Sequence, residues 1–200
     1  MAVICDGIGG LEKGEEASSY VIRQLANWFM TEGYRMTLLK QQRRLQQLCY
    51  QLHQDLKDYG KENNLRLGTT MTCVLLDSNR IMWAHYGDCR LYLLRKRKAR
   101  ILTQDHIYSG QLNRALGVGE WHLFSCGQRR IKRGDKFLLC SDGLYKKLSL
   151  QELHCVAKRT ICNDAGANRM LRQLLEKKKN LKERDNISAL YFGYGTREGR

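Results

Sequence analysis

A short apolar run that ends in an acid and a cluster of glycines, Ala2-Val3-Ile4-Cys5-Asp6-Gly7-Ile8-Gly9-Gly10, constrains the fold of this chain more than any other feature. Apolar residues followed by a carboxylate and a glycine mark a strand end that delivers a side chain into a tight turn. The pattern returns in Phe137 to Cys140 followed by Ser141-Asp142-Gly143, and in mirror order where Asp185-Asn186 precedes Ile187 to Phe192. Three carboxylates at strand ends suggest a site for a hard cation, which prefers oxygen ligands. Each also has a plainer use, because Asp6 could cap its own turn and Asp-Gly is an ordinary turn dipeptide.

The 200 residues suit one domain, taken as 1–200, and a hydrophobic content of 42% is enough to build an ordinary core. No apolar run approaches the roughly 20 residues of a membrane-spanning helix. The start of the chain does not read as a signal peptide, because Asp6 interrupts the apolar stretch at once. Eight cysteines are scattered through apolar segments without a C-x-x-C pair, which predicts reduced, buried thiols and a cytoplasmic location. The spacings His122-x-x-x-Cys126 and His154-Cys155 do not match a zinc site.

The charge is strongly one-sided, with 35 Lys plus Arg against 20 Asp plus Glu, a net of +15. The excess gathers in 95–100, 128–133 and 177–179. Such runs are commonly solvated turns and helix faces, and they also suit recruitment of phosphorylated or acidic partners. Only 8% of residues are aromatic and none interleaves with the basic runs, which argues against a nucleic-acid platform built on base stacking.

Helical spacing of Ala17, Tyr20, Val21, Leu25 and Trp28 predicts a helix over 15–30, with Glu15 and Glu16 favourably placed in its first turn. Leu38, Leu45, Leu48, Leu52 and Leu56 draw one stripe along a second helix over 37–59. The period then changes to strands over 69–76, 80–86 and 90–95. Their short connections, Asp77-Ser78-Asn79 and Gly87-Asp88-Cys89, predict an antiparallel meander. Residues 104–119 read as irregular. Strands are predicted at 121–126 and 137–140 with Lys132 to Asp135 as the turn between them, helices at 150–159 and 165–182, and a closing strand at 187–194. Strands and helices are grouped rather than alternating, which is the α+β class with antiparallel sheet.

Seven motifs in order resemble the metal-dependent Ser/Thr protein phosphatases of type 2C, the PPM family. They are Asp6-Gly7-Ile8-Gly9-Gly10, Gly68-Thr69-Thr70, Ala84-His85-Tyr86-Gly87-Asp88-Cys89-Arg90, Leu102-Thr103-Gln104-Asp105-His106, Arg114-Ala115-Leu116-Gly117, Phe137 to Leu144, and Asp185-Asn186-Ile187-Ser188. The resemblance implies two antiparallel sheets packed as a sandwich flanked by helices, with the first strands of that fold lacking. It also implies two Mg2+ or Mn2+ ions, a phosphorylated protein substrate, and hydrolysis of phosphoserine or phosphothreonine by a metal-activated water. In this likeness Asp6 bridges the metals, the carbonyl of Gly7 ligates one of them, and Asp142 and Asp185 complete the set. Asp88, Asp105 and His106 read as turn or cap residues instead.

Three departures from the family accompany the likeness. The sequence shows no R-x-x-N-E-D segment before Asp6; the expectation is either that the family's phosphate-binding arginine is missing, with Arg23, Arg90 and Arg114 as candidates to replace it, or that the protein is longer and Met1 is an internal methionine. Only Ile107 to Asn113 separates His106 from Arg114, so the flap of the bacterial members is essentially missing. Ile8 stands where the family often has His or Met, and a hydrocarbon can serve neither as acid nor as base. The absent strands would leave a sheet edge open near Ala2 to Cys5, where a second copy could pair. A catalytically weak or inactive phosphatase-like module that binds phosphoproteins is the alternative function.

Overall fold

A computed structural model describes residues 1–96, 98–146, 149, 151–152, 169, 171–173, 176 and 186–194. The chain divides into two units, one formed by 1–89 with 105–129 and the other by 90–104 with 130–200.

In the first unit, β1 (Ala2–Ile4), β2 (Met71–Leu76), β3 (Arg80–Tyr86) and β8 (Ser125–Arg130) form a sheet in the order β1-β2-β3-β8. Two helices, α1 (Gly14–Thr31) and α2 (Leu38–Glu62), follow β1, linked by a 3-10 turn at Gly33–Arg35. The buried face of α1 is Ala17, Val21, Leu25 and Trp28, and that of α2 includes Leu38, Leu45, Leu52 and Leu56 of the predicted stripe, with Cys49 buried and Leu48 only half-buried. These residues share one core with Met71, Cys73 and Leu75 of β2 and Met82, Ala84 and Tyr86 of β3. The alternation by two places each strand's set on one face of the sheet. Polar groups inside this core are only partly matched: the Gln41 side chain donates to the carbonyl of Gly33 at 2.8 Å and His53 Nδ1 accepts from the amide of Gly117 at 3.2 Å, while Gln41 Oε1, His53 Nε2 and Trp28 Nε1 are buried without a hydrogen-bond partner among the described residues.

In the second unit, β4 (Arg90–Arg95), β5 (Lys98–Ile101), β9 (Lys136–Cys140) and β10 (Ala189–Gly193) form an antiparallel sheet in the order β10-β9-β4-β5. Tyr92, Leu94, Leu138 and Cys140 pack with Leu144 and Tyr145 of the short helix α3 (Asp142–Tyr145). A buried ion pair closes one end of this sheet. Arg95 donates through Nε and Nη2 to both carboxylate oxygens of Asp135, which is 1% exposed and also accepts the amide of Lys132 at 2.7 Å.

Several sequence expectations need correction. The three-strand meander ends at β3, because β4 pairs with β5 and β9, and Gly87-Asp88-Cys89 carries the chain from one sheet to the other. Likewise β8 and β9 belong to different sheets, so Lys132 to Asp135 is a turn but joins no hairpin. The strand placed at 121–126 begins only at Ser125, since Trp121 is used as a packing plate against Tyr86, Tyr50 and His53. Part of the basic run 95–100 is the edge strand β5. Within 104–119 lies a two-residue hairpin, β6 (Ile107–Tyr108) and β7 (Gln111–Leu112), turned at Ser109 and Gly110, both with positive φ. The helices predicted at 150–159 and 165–182 fall largely outside the described residues.

Six cysteines are described, all as free thiols, and five of them are buried. Burial pushes the Cys73 and Cys140 thiols up to about 12. Among the described residues no helix is long and apolar enough to cross a membrane.

Candidate active site

The first motif is held by an antiparallel ladder that outlasts β1. The β1–β2 register, Ala2 opposite Val74 and Ile4 opposite Thr72, continues unchanged to a bridge between Gly7 and Thr69. At Asp6 the ladder is altered. Thr70 donates its amide to the carbonyl of Asp6 at 2.8 Å, but the amide of Asp6 donates to the Thr70 hydroxyl at 3.1 Å, and the Thr69 hydroxyl adds a further bond to the Asp6 carbonyl at 3.0 Å. The backbone of Asp6 is therefore fixed on both sides, which aims its side chain. Ile8 donates to Gly68 at 3.0 Å, so Gly7 and Thr69 form the non-hydrogen-bonded pair between two bonded ones. In that geometry the carbonyl of Gly7 points away from the β2 side.

Gly7 has to be glycine. A Cβ there would sit 2.4 Å from the carbonyl carbon and oxygen of Gly14, the first residue of α1. The helix start lies directly against the turn, and only two facing glycines permit that approach.

The Gly87-Asp88 turn is locked from the neighbouring motif. His106 donates its amide to the carbonyl of Gly87 at 2.8 Å, and Gly87 donates its amide to His106 Nδ1 at 3.0 Å. Nδ1 is thereby an acceptor, which leaves the proton on Nε2 to donate to the Ser125 hydroxyl at 2.7 Å. Burial, with the Arg114 guanidinium nearby, pushes the His106 pKa down to about 4. Its ring stacks on His85, with centroids 4.8 Å apart. Gly87 itself has φ +124, and a Cβ would lie 2.5 Å from Thr70, the residue that holds Asp6. His106 is thus structural, as its sequence context implies, but as a clamp on a distant turn rather than as a local cap.

In the second unit, Asp142 opens α3 after β9, with Ser141 before it. Ser141 is anchored to the far side of the motif set: its amide donates to Ser188 at 3.0 Å, and its hydroxyl accepts from the amide of Ser188 at 3.0 Å. The carboxylate of Asp142 is 17% exposed and accepts the Lys146 ammonium at 2.6 Å, an i,i+4 pair. Arg90 lays its guanidinium over the Tyr145 ring at 3.7 Å. Of the other arginines considered for phosphate binding, Arg114 lies beside His106, and Arg23 lines a cleft of about 670 Å³ between α1 and α2 with Glu15, Tyr20 and Asp55. Asp185 lies outside the described residues.

Asp6 and the Gly7 carbonyl in the first unit, and Asp142 in the second, are each hard oxygen donors, a chemistry that suits Mg2+ or Mn2+ better than a thiophilic ion. Among the described residues no three His, Cys, Asp or Glu side chains are grouped to hold an ion. Sequence reasoning named the candidate carboxylates but not the groups that contact Asp6 and Asp142. Those groups are Thr70 and Lys146, and the signals were present in the hydroxyl pair after Gly68 and the four-residue spacing from Asp142.

The protein phosphatase 2C family profile matches residues 1–177. The chain belongs to this family. Its activity is metal-dependent dephosphorylation of phosphoserine and phosphothreonine in proteins. It is similar to the serine/threonine phosphatase stp of Listeria monocytogenes, with 25% identity over 214 residues covering 95% of this chain and 82% of the relative. In three dimensions it is similar to serine/threonine phosphatase Stp1 from Staphylococcus aureus, with a TM-score of 0.85, 22% identity, and coverage of 97% of this chain and 83% of that one. A third match is the catalytic domain of the phosphatase PstP in complex with two manganese ions, with a TM-score of 0.75, 28% identity, and coverage of 94% and 85%. The architecture is therefore the one these protein phosphatase 2C structures share, and relatives named as phosphatases favour turnover over a binding-only module.

Proposed function

We propose that Asp6, the carbonyl of Gly7, Asp142 and Asp185 together hold two Mg2+ or Mn2+ ions, and that this family member acts in the cytoplasm on phosphorylated proteins. What supports this reading is the backbone lock on Asp6, which aims a carboxylate and a neighbouring carbonyl out of the same turn. The PstP catalytic domain with its two manganese ions is a precedent in a similar fold. The buried free thiols are compatible with a reducing compartment.

When bound, the ions supply Lewis acidity, acidifying a water for in-line attack on phosphorus and offsetting charge on the phosphoryl oxygens. The protein's part is positioning. Thr69 and Thr70 keep Asp6 from recoiling, Gly7 and Gly14 fix the turn against α1, and Ser141 ties the start of α3 to the 186–188 segment. Lys146 neutralises Asp142 and has to yield Oδ2 to an incoming cation. Ile8 carries no proton, so the departing serine or threonine oxygen takes its proton from solvent.

The test is hydrolysis of p-nitrophenyl phosphate and of a phosphothreonine peptide during a Mn2+ titration. Asp142→Asn keeps the volume of the side chain and removes its charge, and is expected to lower kcat by a factor on the order of a hundred or more while leaving the thermal midpoint unchanged. Full activity in Asp142→Asn, or turnover that does not respond to Mn2+ and EDTA, overturns the assignment.

A further inference from the structure

We propose that the basic end of the second sheet is a docking surface for an acidic stretch of the substrate protein, separate from the phosphorylated residue. The inference rests on the phosphatase reading above and adds where the substrate is gripped.

The observation is a concentration of positive charge where β4, β5 and the segment from the end of β8 to the start of β9 come together. Segments 95–100 and 130–136 carry nine Lys or Arg and a single acid, Asp135. Register gathers them: Arg95 lies opposite Lys98 across the β4–β5 turn, Leu94 lies opposite Lys136, and Arg95 Nη2 donates to the carbonyl of Arg130 at 3.3 Å. The lone carboxylate is taken out of play, buried at 1% exposure and engaged by Arg95 and the Lys132 amide. Lys96, Lys98, Arg130, Lys132 and Arg133 are exposed around it. A surface of this kind attracts anions and orients their approach.

Position separates it from the proposed metal ligands. Lys136 begins β9, whereas Asp142 follows its other end. At about 3.3 Å per residue the strand places roughly 13 Å between Lys136 and Cys140. A substrate engaged at both places therefore needs about five extended residues between its phosphorylated residue and its acidic stretch. Base stacking has no platform here, because neither segment contains an aromatic residue.

The test compares two phosphothreonine peptides, one with four glutamates placed five to eight residues from the phosphothreonine and one with alanines there. Both are assayed with the wild-type chain and with Lys96→Glu/Lys98→Glu/Lys132→Glu. The expected result is about tenfold higher kcat/KM for the acidic peptide, lost in the variant and at 0.5 M salt, with p-nitrophenyl phosphate hydrolysis unchanged in the variant. The charge-neutral variant Lys96→Gln/Lys98→Gln/Lys132→Gln should fall between the two. Fluorescence anisotropy of a labelled, unphosphorylated acidic peptide reads docking without turnover, so a failure of the phosphatase reading is seen separately, as absent hydrolysis by the wild type. Equal kcat/KM and equal binding for the two peptides overturn the proposal. So does a variant that loses only DNA binding or only binding to phosphatidylserine vesicles.

Discussion

Replacing Gly7 by alanine tests whether the backbone lock on the first motif is what makes the site. The added Cβ would lie 2.4 Å from two backbone atoms of Gly14, where ordinary contact begins near 3.4 Å. The turn and the start of α1 must therefore separate by about 1 Å, and neither obstructing atom belongs to a side chain that could rotate away. Overpacking of this kind costs about 2–3 kcal/mol. At about 2–4 °C per kcal/mol for a chain of this size, the thermal midpoint falls by roughly 4–12 °C. Asp6, the proposed metal ligand, is the adjacent residue, and if it serves there a displacement of about 1 Å costs on the order of a hundredfold in rate. Circular dichroism melts and Mn2+-dependent hydrolysis of p-nitrophenyl phosphate measure the two effects. Gly9→Ala is the control, since nothing lies within 4 Å of a Cβ there. It should be neutral, or stabilising by about 0.4–1 kcal/mol through the unfolded chain. A Gly7→Ala variant that melts with the wild type and turns over at the same rate refutes the reasoning.

Two further outcomes follow from buried polar groups. Arg95→Ala leaves the Asp135 carboxylate buried with only the Lys132 amide for support, and should lower unfolding free energy by about 3 kcal/mol in urea titrations. A loss below about 1 kcal/mol would mean the pair is solvated in solution. His106, with its pKa held down to about 4, is neutral in the folded state where the unfolded chain's histidine protonates below about 6.5. Its sign is therefore fixed: folding is undisturbed above pH 6.5, and stability falls as the pH drops from 6.5 towards 4, by about 1–3 kcal/mol. His106→Asn, which retains an acceptor for the Gly87 amide, should flatten that part of the stability profile relative to wild type. An identical profile in both proteins would show that other groups carry the acid sensitivity.

Local pattern carried far along this chain. The helices α1 and α2, the strands β2, β3, β4 and β9, and Asp6 and Asp142 just beyond strand ends are visible in periodicity and turn chemistry, because each depends on residues within a few positions of one another. Motif order identified the family for the same reason. Which strands pair was not legible. Gly87-Asp88-Cys89 has the length and composition of a hairpin turn, yet β4 leaves for another sheet, since Tyr92 and Leu94 pack with Leu138 and Cys140 rather than beside β3. The basic run 95–100 looked like solvated loop, and only its partner β4 makes part of it a strand.

What the sequence alone determined is the family and the residue types on offer: carboxylates at Asp6, Asp142 and Asp185 that stand as the proposed ligands, a protonless Ile8, and an excess of cations. What only tertiary structure decided is the support. Thr70 reaches Asp6 across 64 residues, His106 clamps Gly87 across 19, and Asp135 is silenced by Arg95 from 40 residues away. Such contacts leave no periodic trace, because a hydrogen bond between distant segments constrains a distance in space and not a spacing along the chain.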